Sequence, residues 1–341
     1  MQDRERWVVV GLDTGGTMNN ATVLDGTGRF LVEDMVESPS LVREGPDKAI
    51  EALAQALDNI LELTGIERGA VRAVGLDTPG PVSANGVISS RGATNFSEPE
   101  WRGFDVRGAL EGRIGLPVLY NNDANAAALY AHHAHFGPEA AALRSSVSAI
   151  VGTGLGGGVI EAGRVVRGAA GMAGEFGHVW IPMDGLLGPG QPAPVCNCGF
   201  AGDAESVASL TGIGKNLLPY WLTRFPGHEL AAAGPLAKAA KLVRGYGEAG
   251  DPLALEIFEQ QAKAVGRLFT IAANFTDPDV YFLGGGVVQA GQHFRDWFLG
   301  RVREHTMLRD EQASAASVAL VPDLDMAGAR GSAIAARAAV L

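Results

Sequence analysis

Three times in this chain a short apolar run stops at a cluster of glycines. Trp7-Val8-Val9-Val10-Gly11-Leu12 runs into Asp13-Thr14-Gly15-Gly16-Thr17. Ser146 to Val151 runs into Gly152-Thr153-Gly154-Leu155-Gly156-Gly157-Gly158, and Val280-Tyr281-Phe282-Leu283 into Gly284-Gly285-Gly286. Apolar runs of this length bounded by turn signals read as buried strands, and strands buried on both faces belong to α/β sheets covered by helices. Glycine at a strand end lets backbone N–H groups approach an anion. Asp13 is placed to hold a magnesium-bound water or to neutralise charge around a transferring phosphate. The alternative at that turn is a plain tight hairpin, because Asn20 to Leu24 reads as a second strand with Asp25-Gly26-Thr27-Gly28 as the next turn. Neither turn is the Walker A pattern, which needs GxxxxGK[ST] before a helix. Two such turns, one in each half, fit a nucleotide clamped from both sides, and the third offers flat backbone to an adenine or ribose. The candidate nucleotide contacts are Asp13, Gly15, Gly16, Thr17, Gly152, Thr153, Gly154, Gly284, Gly285 and Gly286. Gly157-Gly158-Val159 follows the second turn much as Ala21-Thr22-Val23 follows the first, as if the halves repeat one strand–turn–strand plan.

A fourth strand end carries carboxylate and amide instead of glycine. Pro117 to Tyr120 is apolar, and Ala124 to His133 is an alanine-rich helix; between and just beyond them stand Asn121, Asn122, Asp123 and Asn125. Ligands of open α/β sheets bind outside the carboxyl ends of the strands. A carboxylate at Asp123 can take a proton from a substrate hydroxyl that Asn122 helps to orient. The other reading is a helix cap, for which one such residue would suffice. His132, His133 and His135 follow on the helix, but neighbouring positions point in different directions, so a solvated face is expected there and not a metal site.

Val71 to Leu76 is another buried strand, closed by the rigid turn Asp77-Thr78-Pro79-Gly80-Pro81-Val82. The polar excursion from Ser83 to Arg102 suits a sugar, with Gly80 and Asn95 as candidate contacts, and equally suits an ordinary surface loop. Gly174-Glu175-Phe176-Gly177-His178 then puts a carboxylate and an imidazole three residues apart. Cys196-Asn197-Cys198 and Asp203-Ala204-Glu205 follow. Cysteines one residue apart are poorly placed to bridge each other. They read either as zinc ligands with His178 and Asp203, or as reduced thiols in a tight loop. Helical periodicity marks Gly45 to Thr64, Asp105 to Ile114, Glu229 to Val243, Pro252 to Asn274, Gln292 to Met307 and Met326 to Leu341.

A chain of 341 residues exceeds one ordinary core, so two lobes are expected. The formal charge of −11 argues against nucleic acid or an anionic membrane as partner. No apolar run reaches membrane length, and the charged start Met1-Gln2-Asp3-Arg4-Glu5-Arg6 shows no signal peptide, so a cytoplasmic location is expected.

In this order the motifs resemble those of the ROK family, bacterial sugar kinases and related repressors, over almost the whole chain. Asp13-Thr14-Gly15-Gly16-Thr17 is similar to the family's first phosphate motif, Gly152 to Gly158 to the second, and Leu283-Gly284-Gly285-Gly286 to the adenosine motif. Asn122-Asp123-Ala124-Asn125 matches the segment of the catalytic aspartate. Gly174 to His178 and Cys196-x-Cys198-Gly199-x-x-Gly202-Asp203-x-Glu205 match the sugar and zinc signature. The resemblance implies an α/β, actin-like (ribonuclease H-like, hexokinase/Hsp70 ATPase) two-lobed sugar kinase fold. Residues 1–121 with the C-terminal helix 326–341 would form the smaller lobe, and 122–325 the larger one with the zinc, sugar and adenosine sites. It implies ATP and Mg²⁺, a structural Zn²⁺ on His178, Cys196, Cys198 and Asp203, and a homodimer. The reaction implied is phosphorylation of a hexose hydroxyl, O6 of glucose or a close relative. Asp123 would be the base, with Asn122, Glu175, His178 and Glu205 on the sugar. Other hexoses, N-acetyl amino sugars, polyphosphate as donor and a non-catalytic sugar sensor stay open. The family usually has a third cysteine where Asp203 stands, and often a lysine where Met18 stands. Its repressors carry a helix-turn-helix before the first motif, for which the six residues ahead of Trp7 leave no room.

Overall fold

The computed structural model describes residues 7–80, 85–88 and 96–341. By packing, the chain divides into two compact units: Met1–Arg144 with Gly158–Ala173 and Val321–Leu341, and Ser145–Gly157 with Gly174–Leu320.

In the first unit, strands β1 (Val8–Thr14), β2 (Met18–Asp25), β3 (Val36–Pro39), β4 (Val71–Thr78) and β5 (Val118–Asn122) form a sheet of order β3-β2-β1-β4-β5. β1 pairs antiparallel with β2 and parallel with β4, and β4 pairs parallel with β5. The period of two along β1 and β4 decides what each face meets. Val8, Val10, Leu12, Val74 and Leu76 join one core with Leu53, Leu57 and Ile60 of the Pro46–Thr64 helix. Val9 and Ala73 point the other way, to Ala333 and Ala336 of the C-terminal helix Leu324–Val340. That helix comes down on bare backbone: a Cβ on Gly11 or Gly75 would lie 1.9 Å from the carbonyl oxygen of Ala329 or Ser332. Asp13 and Asp77 continue the same face, so both carboxyls look toward this helix.

In the second sheet β6 (Ser146–Val151), β7 (Leu155–Glu161), β8 (Arg164–Val165), β9 (Val280–Gly284) and β10 (Ser317–Leu320) run in the order β10-β9-β6-β7-β8. β9 pairs parallel with β6 and with β10, and β7 antiparallel with β8. The order 8-7-6-9-10 reproduces 3-2-1-4-5, so the repeated plan hinted at in the two glycine turns extends to five strands. The second unit's core is aromatic where the helices Pro252–Thr276 and Gln292–His305 meet, with Phe258 edge-on to Phe294 at 4.8 Å.

The observed helices depart from the periodicity in three places. The expected helix from Glu229 to Val243 is a 3₁₀ turn, Glu229–Ala232, then a helix Leu236–Glu248, because Gly234 and Pro235 interrupt it. Residues 205–224 are helical in short pieces, with a π-turn at Ile213–Leu217. Of the three histidines after Asp123 only His135 is exposed, so the expected solvated face does not extend to His132 and His133. His132 is fully buried with Nε2 2.8 Å from the carbonyl oxygen of Ala141. His133 is pushed down to about 4, mainly by burial.

Candidate active site

In the first unit the polar residues fall in one register across the sheet. Asn20, Asp13, Asp77 and Asn121 are successive partners on β2, β1, β4 and β5. Asn20 Nδ2 reaches Asp13 Oδ2 at 3.4 Å, and Ser332 Oγ of the C-terminal helix donates to Asp77 Oδ1 at 2.7 Å. Asp77 is wholly buried, and among the described residues no N–H or O–H donates to its Oδ2. A Cβ on Gly328 would lie 2.8 Å from that oxygen and 2.9 Å from Asp13 Oδ2, so glycine is what leaves room for both carboxyls. Burial raises both; the Asp13 charge, and then that of Asp123, push Asp77 further up. Two neighbouring carboxyls oppose each other's ionisation, and the upward push is the stronger on Asp77.

Asp123 opens the Asp123–Ala140 helix, which kinks at Gly137. Asn122 is its N-cap, with Oδ1 accepting from the N–H of Ala124 at 3.0 Å, and Asp123 Oδ1 accepts from the same N–H at 2.7 Å. The cap and the candidate base are therefore neighbours, and the base's carboxylate is held at the helix start, where the macrodipole favours negative charge. Arg167 ties down the strand that delivers it, donating from Nη1 to the carbonyl oxygen of Tyr120 at 3.2 Å and from Nη2 to Asn121 Oδ1 at 2.9 Å. Tyr120 and Thr78 share a buried hydroxyl–hydroxyl bond of 2.8 Å that links β5 to β4. Gly15, Gly16 and Thr17 make the β1–β2 turn, closed by Gly15 N–H to the carbonyl of Met18 at 2.8 Å and spanned by Thr14 Oγ1 to Asn19 Oδ1 at 2.9 Å. Gly80 lies two residues past β4, and Asn95 lies outside the described residues.

In the second unit the other two glycine turns adjoin. Gly285, with φ of +97°, packs on the end of β6, where a Cβ would lie 2.1 Å from the carbonyl oxygen of Val151. Gly284 and Gly286 flank it, and Arg244 Nη1 donates to the carbonyl of Gly286 at 2.7 Å. Gly152, Thr153 and Gly154 form the turn that follows Val151, with Gly152 N–H on the carbonyl of Gly154 at 2.9 Å. Glu205 lies against this turn: Oε2 accepts from the N–H of Leu155 at 2.9 Å, while Cys196 Sγ lies 3.3 Å from Oε1. Glu175 precedes the 3₁₀ turn Phe176–His178. Desolvation raises its carboxyl; His178 offsets part of that, and Glu205 adds to it.

His178, Cys196, Cys198 and Asp203 bring one ligand atom each to within 4.8 Å of one another. The separations are 3.1 Å from His178 Nδ1 to Asp203 Oδ2, 3.6 Å from Cys198 Sγ to the same oxygen, and 3.9 Å from Cys196 Sγ to His178 Nδ1. Tetrahedral zinc at ordinary bond lengths has ligand–ligand edges of about 3.3–3.8 Å. The donor set of nitrogen, two sulfurs and a carboxylate oxygen fits that ion in spacing and in chemistry. Asp203 holds His178 up to about 9, while burial pushes the Cys196 thiol up. Burial works against the charge on Asp203, but His178 and the N–H of Ser206 outweigh it and hold the carboxyl low.

The sequence reading missed Asp77, Ser332 and Arg167. Asp77 looked like part of a proline turn. Arg167 is a lone cation whose partners stand 46 and 47 residues earlier.

The ROK family profile matches residues 9–339. A glucokinase of Halalkalibacterium halodurans is 33% identical over 318 residues, covering 89% of this chain and 90% of that protein. The ROK hexokinase of Thermus thermophilus superposes with a TM-score of 0.74 at 34% identity, covering 98% of this chain and 99% of the other. A ROK glucokinase from Streptomyces griseus, solved with glucose and AMPPNP, superposes with a TM-score of 0.69 at 29% identity, covering 97% and 99%. The pair of five-stranded mixed sheets is thus the actin-like kinase fold. Within that class, this chain belongs to the ROK family.

Proposed function

We propose that this chain is an ATP-dependent hexose kinase that phosphorylates a sugar hydroxyl, O6 of glucose or a close relative. The observation that carries the reading is Asp123, a carboxylate fixed at a strand-to-helix junction beside the acidic pair Asp13 and Asp77. Asp123 accepts the proton of the attacking hydroxyl, which raises rate by about 10²–10⁴. Asn122 spends its Oδ1 on the cap and keeps Nδ2 for the sugar. Glu175, His178 and Glu205 supply further hydroxyl contacts, carboxylates being apt partners for a polyol. The N–H groups of the turns at Gly15–Thr17 and Gly152–Gly154 take up charge on the phosphates, and Gly284–Gly286 receive the adenosine. Asp13 would hold a water of the Mg²⁺ that comes with the nucleotide, and that ion, when bound, would neutralise charge on the transferring group. His178, Cys196, Cys198 and Asp203 would hold a zinc ion that fixes the ring of His178 and takes no part in the transfer. The names of the Halalkalibacterium and Streptomyces relatives, and the glucose and AMPPNP in the latter's structure, support a hexose and a nucleoside triphosphate.

The test is ADP release from ATP over a panel of glucose, mannose, fructose, allose and N-acetyl amino sugars. Turnover of one or more with glucose or a near epimer foremost is expected. No ADP release on any sugar would remove the reading in favour of a sugar sensor.

A further inference from the structure

The Gly152–Leu155 turn is fastened to a single stretch of chain, residues 205–211. The carbonyl of Gly152 accepts from the N–H of Leu210 at 3.0 Å. The carbonyl of Thr153 accepts twice from Thr211, from N–H at 3.2 Å and from Oγ1 at 2.8 Å. The N–H of Leu155 donates to Glu205 Oε2 at 2.9 Å. Of these bonds, only the last reaches the turn through a carboxylate. Gly154 shows how closely that carboxylate is fitted. A Cβ there would lie 2.7 Å from Glu205 Oε2 and 3.5 Å from its Cδ, and, chain neighbours aside, no other described residue comes within 4 Å. Gly154 does not adopt a left-handed φ, so glycine at this position supplies room for the carboxylate and no special backbone angle. Gly177 closes the other side, where a Cβ would lie 3.3 Å from Glu205 Cβ and Oε2.

We infer that Glu205 is a positioning residue for the Gly152–Leu155 turn: its carboxylate fixes the turn's backbone in the conformation that receives the nucleotide's phosphates. This rests on the kinase reading above and adds to it, since a residue expected only on the sugar would then act on the other substrate. An amide turn binds an anion well only if its N–H groups are already aimed, so freeing one end of the turn costs affinity through reorganisation.

The experiment is calorimetric titration of the full-length protein with magnesium and a non-hydrolysable ATP analogue, with no sugar present. Four variants are compared with the parent: E205A, E205Q, G154A and the G154A/E205A double. G154A pushes the carboxylate aside without removing it, and glutamine keeps an oxygen for the N–H of Leu155. The expected result is a two- to ten-fold rise in Kd for E205A and for G154A, about the worth of one hydrogen bond. E205Q stays near the parent, and the double variant is no weaker than E205A alone, because both changes break one contact. An unchanged Kd in E205A overturns the inference, as does a G154A cost that persists in the E205A background. Hexose turnover by the parent with a Kd indifferent to both changes removes this inference alone. The expected Kd pattern with no hexose turnover removes the hexose reading alone.

Discussion

Asp77 is held between a serine hydroxyl, a glycine and a second carboxyl, all in a dry part of the first unit. Its folded pKa stands well above the ordinary 3.8, through burial first and then the charge of Asp13. The sign follows from linkage. A raised carboxyl favours the folded state most below the unfolded pKa, and that contribution is lost as pH rises through the folded value. Asp77→Asn keeps the shape and drops the titration. Urea unfolding should therefore find the variant at least as stable as the parent at pH 8, with a smaller fall in stability between pH 5 and pH 8. A variant markedly less stable at pH 8 would mean that Asp77 is ionised and paired. Neither the raised carboxyl of Asp77 nor its cause is legible in the sequence. Asp77 stands beside Asp13 only because β1 and β4 pair in parallel register, and it meets Ser332 from 255 positions away. Asp123, by contrast, was legible, since a strand end, a cap and a carboxylate are all local features.

Between elements, two arrangements of charge set separate expectations. Glu259 on the Pro252–Thr276 helix binds Arg301 through both oxygens at 2.7 Å and His305 at 2.8 Å. Burial alone would raise this carboxyl, but Arg301 and His305 outweigh it and hold it at about 2. A lowered carboxyl stabilises the fold above its unfolded pKa, and the contribution is lost as pH falls through about 2. Glu259→Gln should cost about 2 kcal/mol at pH 7 in a partly exposed pair of this kind and little at pH 2, read from denaturation midpoints. Equal costs at both pH values would show that the charge is not what holds the helices. The stretch from Glu175 to Glu205 carries instead the four side chains proposed to hold zinc. The purified protein should carry about one zinc per chain, and Asp203→Cys should tighten it by adding a third thiolate, as competition with a chromophoric chelator would show. A zinc affinity left unchanged both by Asp203→Cys and by Asp203→Ala would count against a carboxylate ligand. The four ligands could be named from residue type and spacing. The link from Glu205 to Leu155 could not, because it joins a side chain to a backbone N–H 50 positions earlier.

At the scale of the molecule, the two sheets repeat one order of five strands, and a glycine turn follows the central strand of each, β1 in the first and β6 in the second. The duplication was faint in the sequence because only the turns keep their residue types, whereas the strands keep no more than their apolar character. A helix start at Glu205 is legible in the sequence, but its continuation to residue 224 in short pieces is not, because Gly212, Gly214 and Pro219 interrupt the periodicity. Arg167 shows the limit from the other side, a cation whose role appears only when a glycine-rich segment returns to β5. The proposed function turns on Asp123 as the base of a hexose phosphoryl transfer. Single-turnover kinetics of Asp123→Asn with ATP and the best hexose, beside direct measurement of sugar binding, test it most directly. The account predicts a fall of about 10²–10⁴ in the rate of transfer with sugar affinity kept within a few-fold; transfer at the parent's rate in that variant would contradict it.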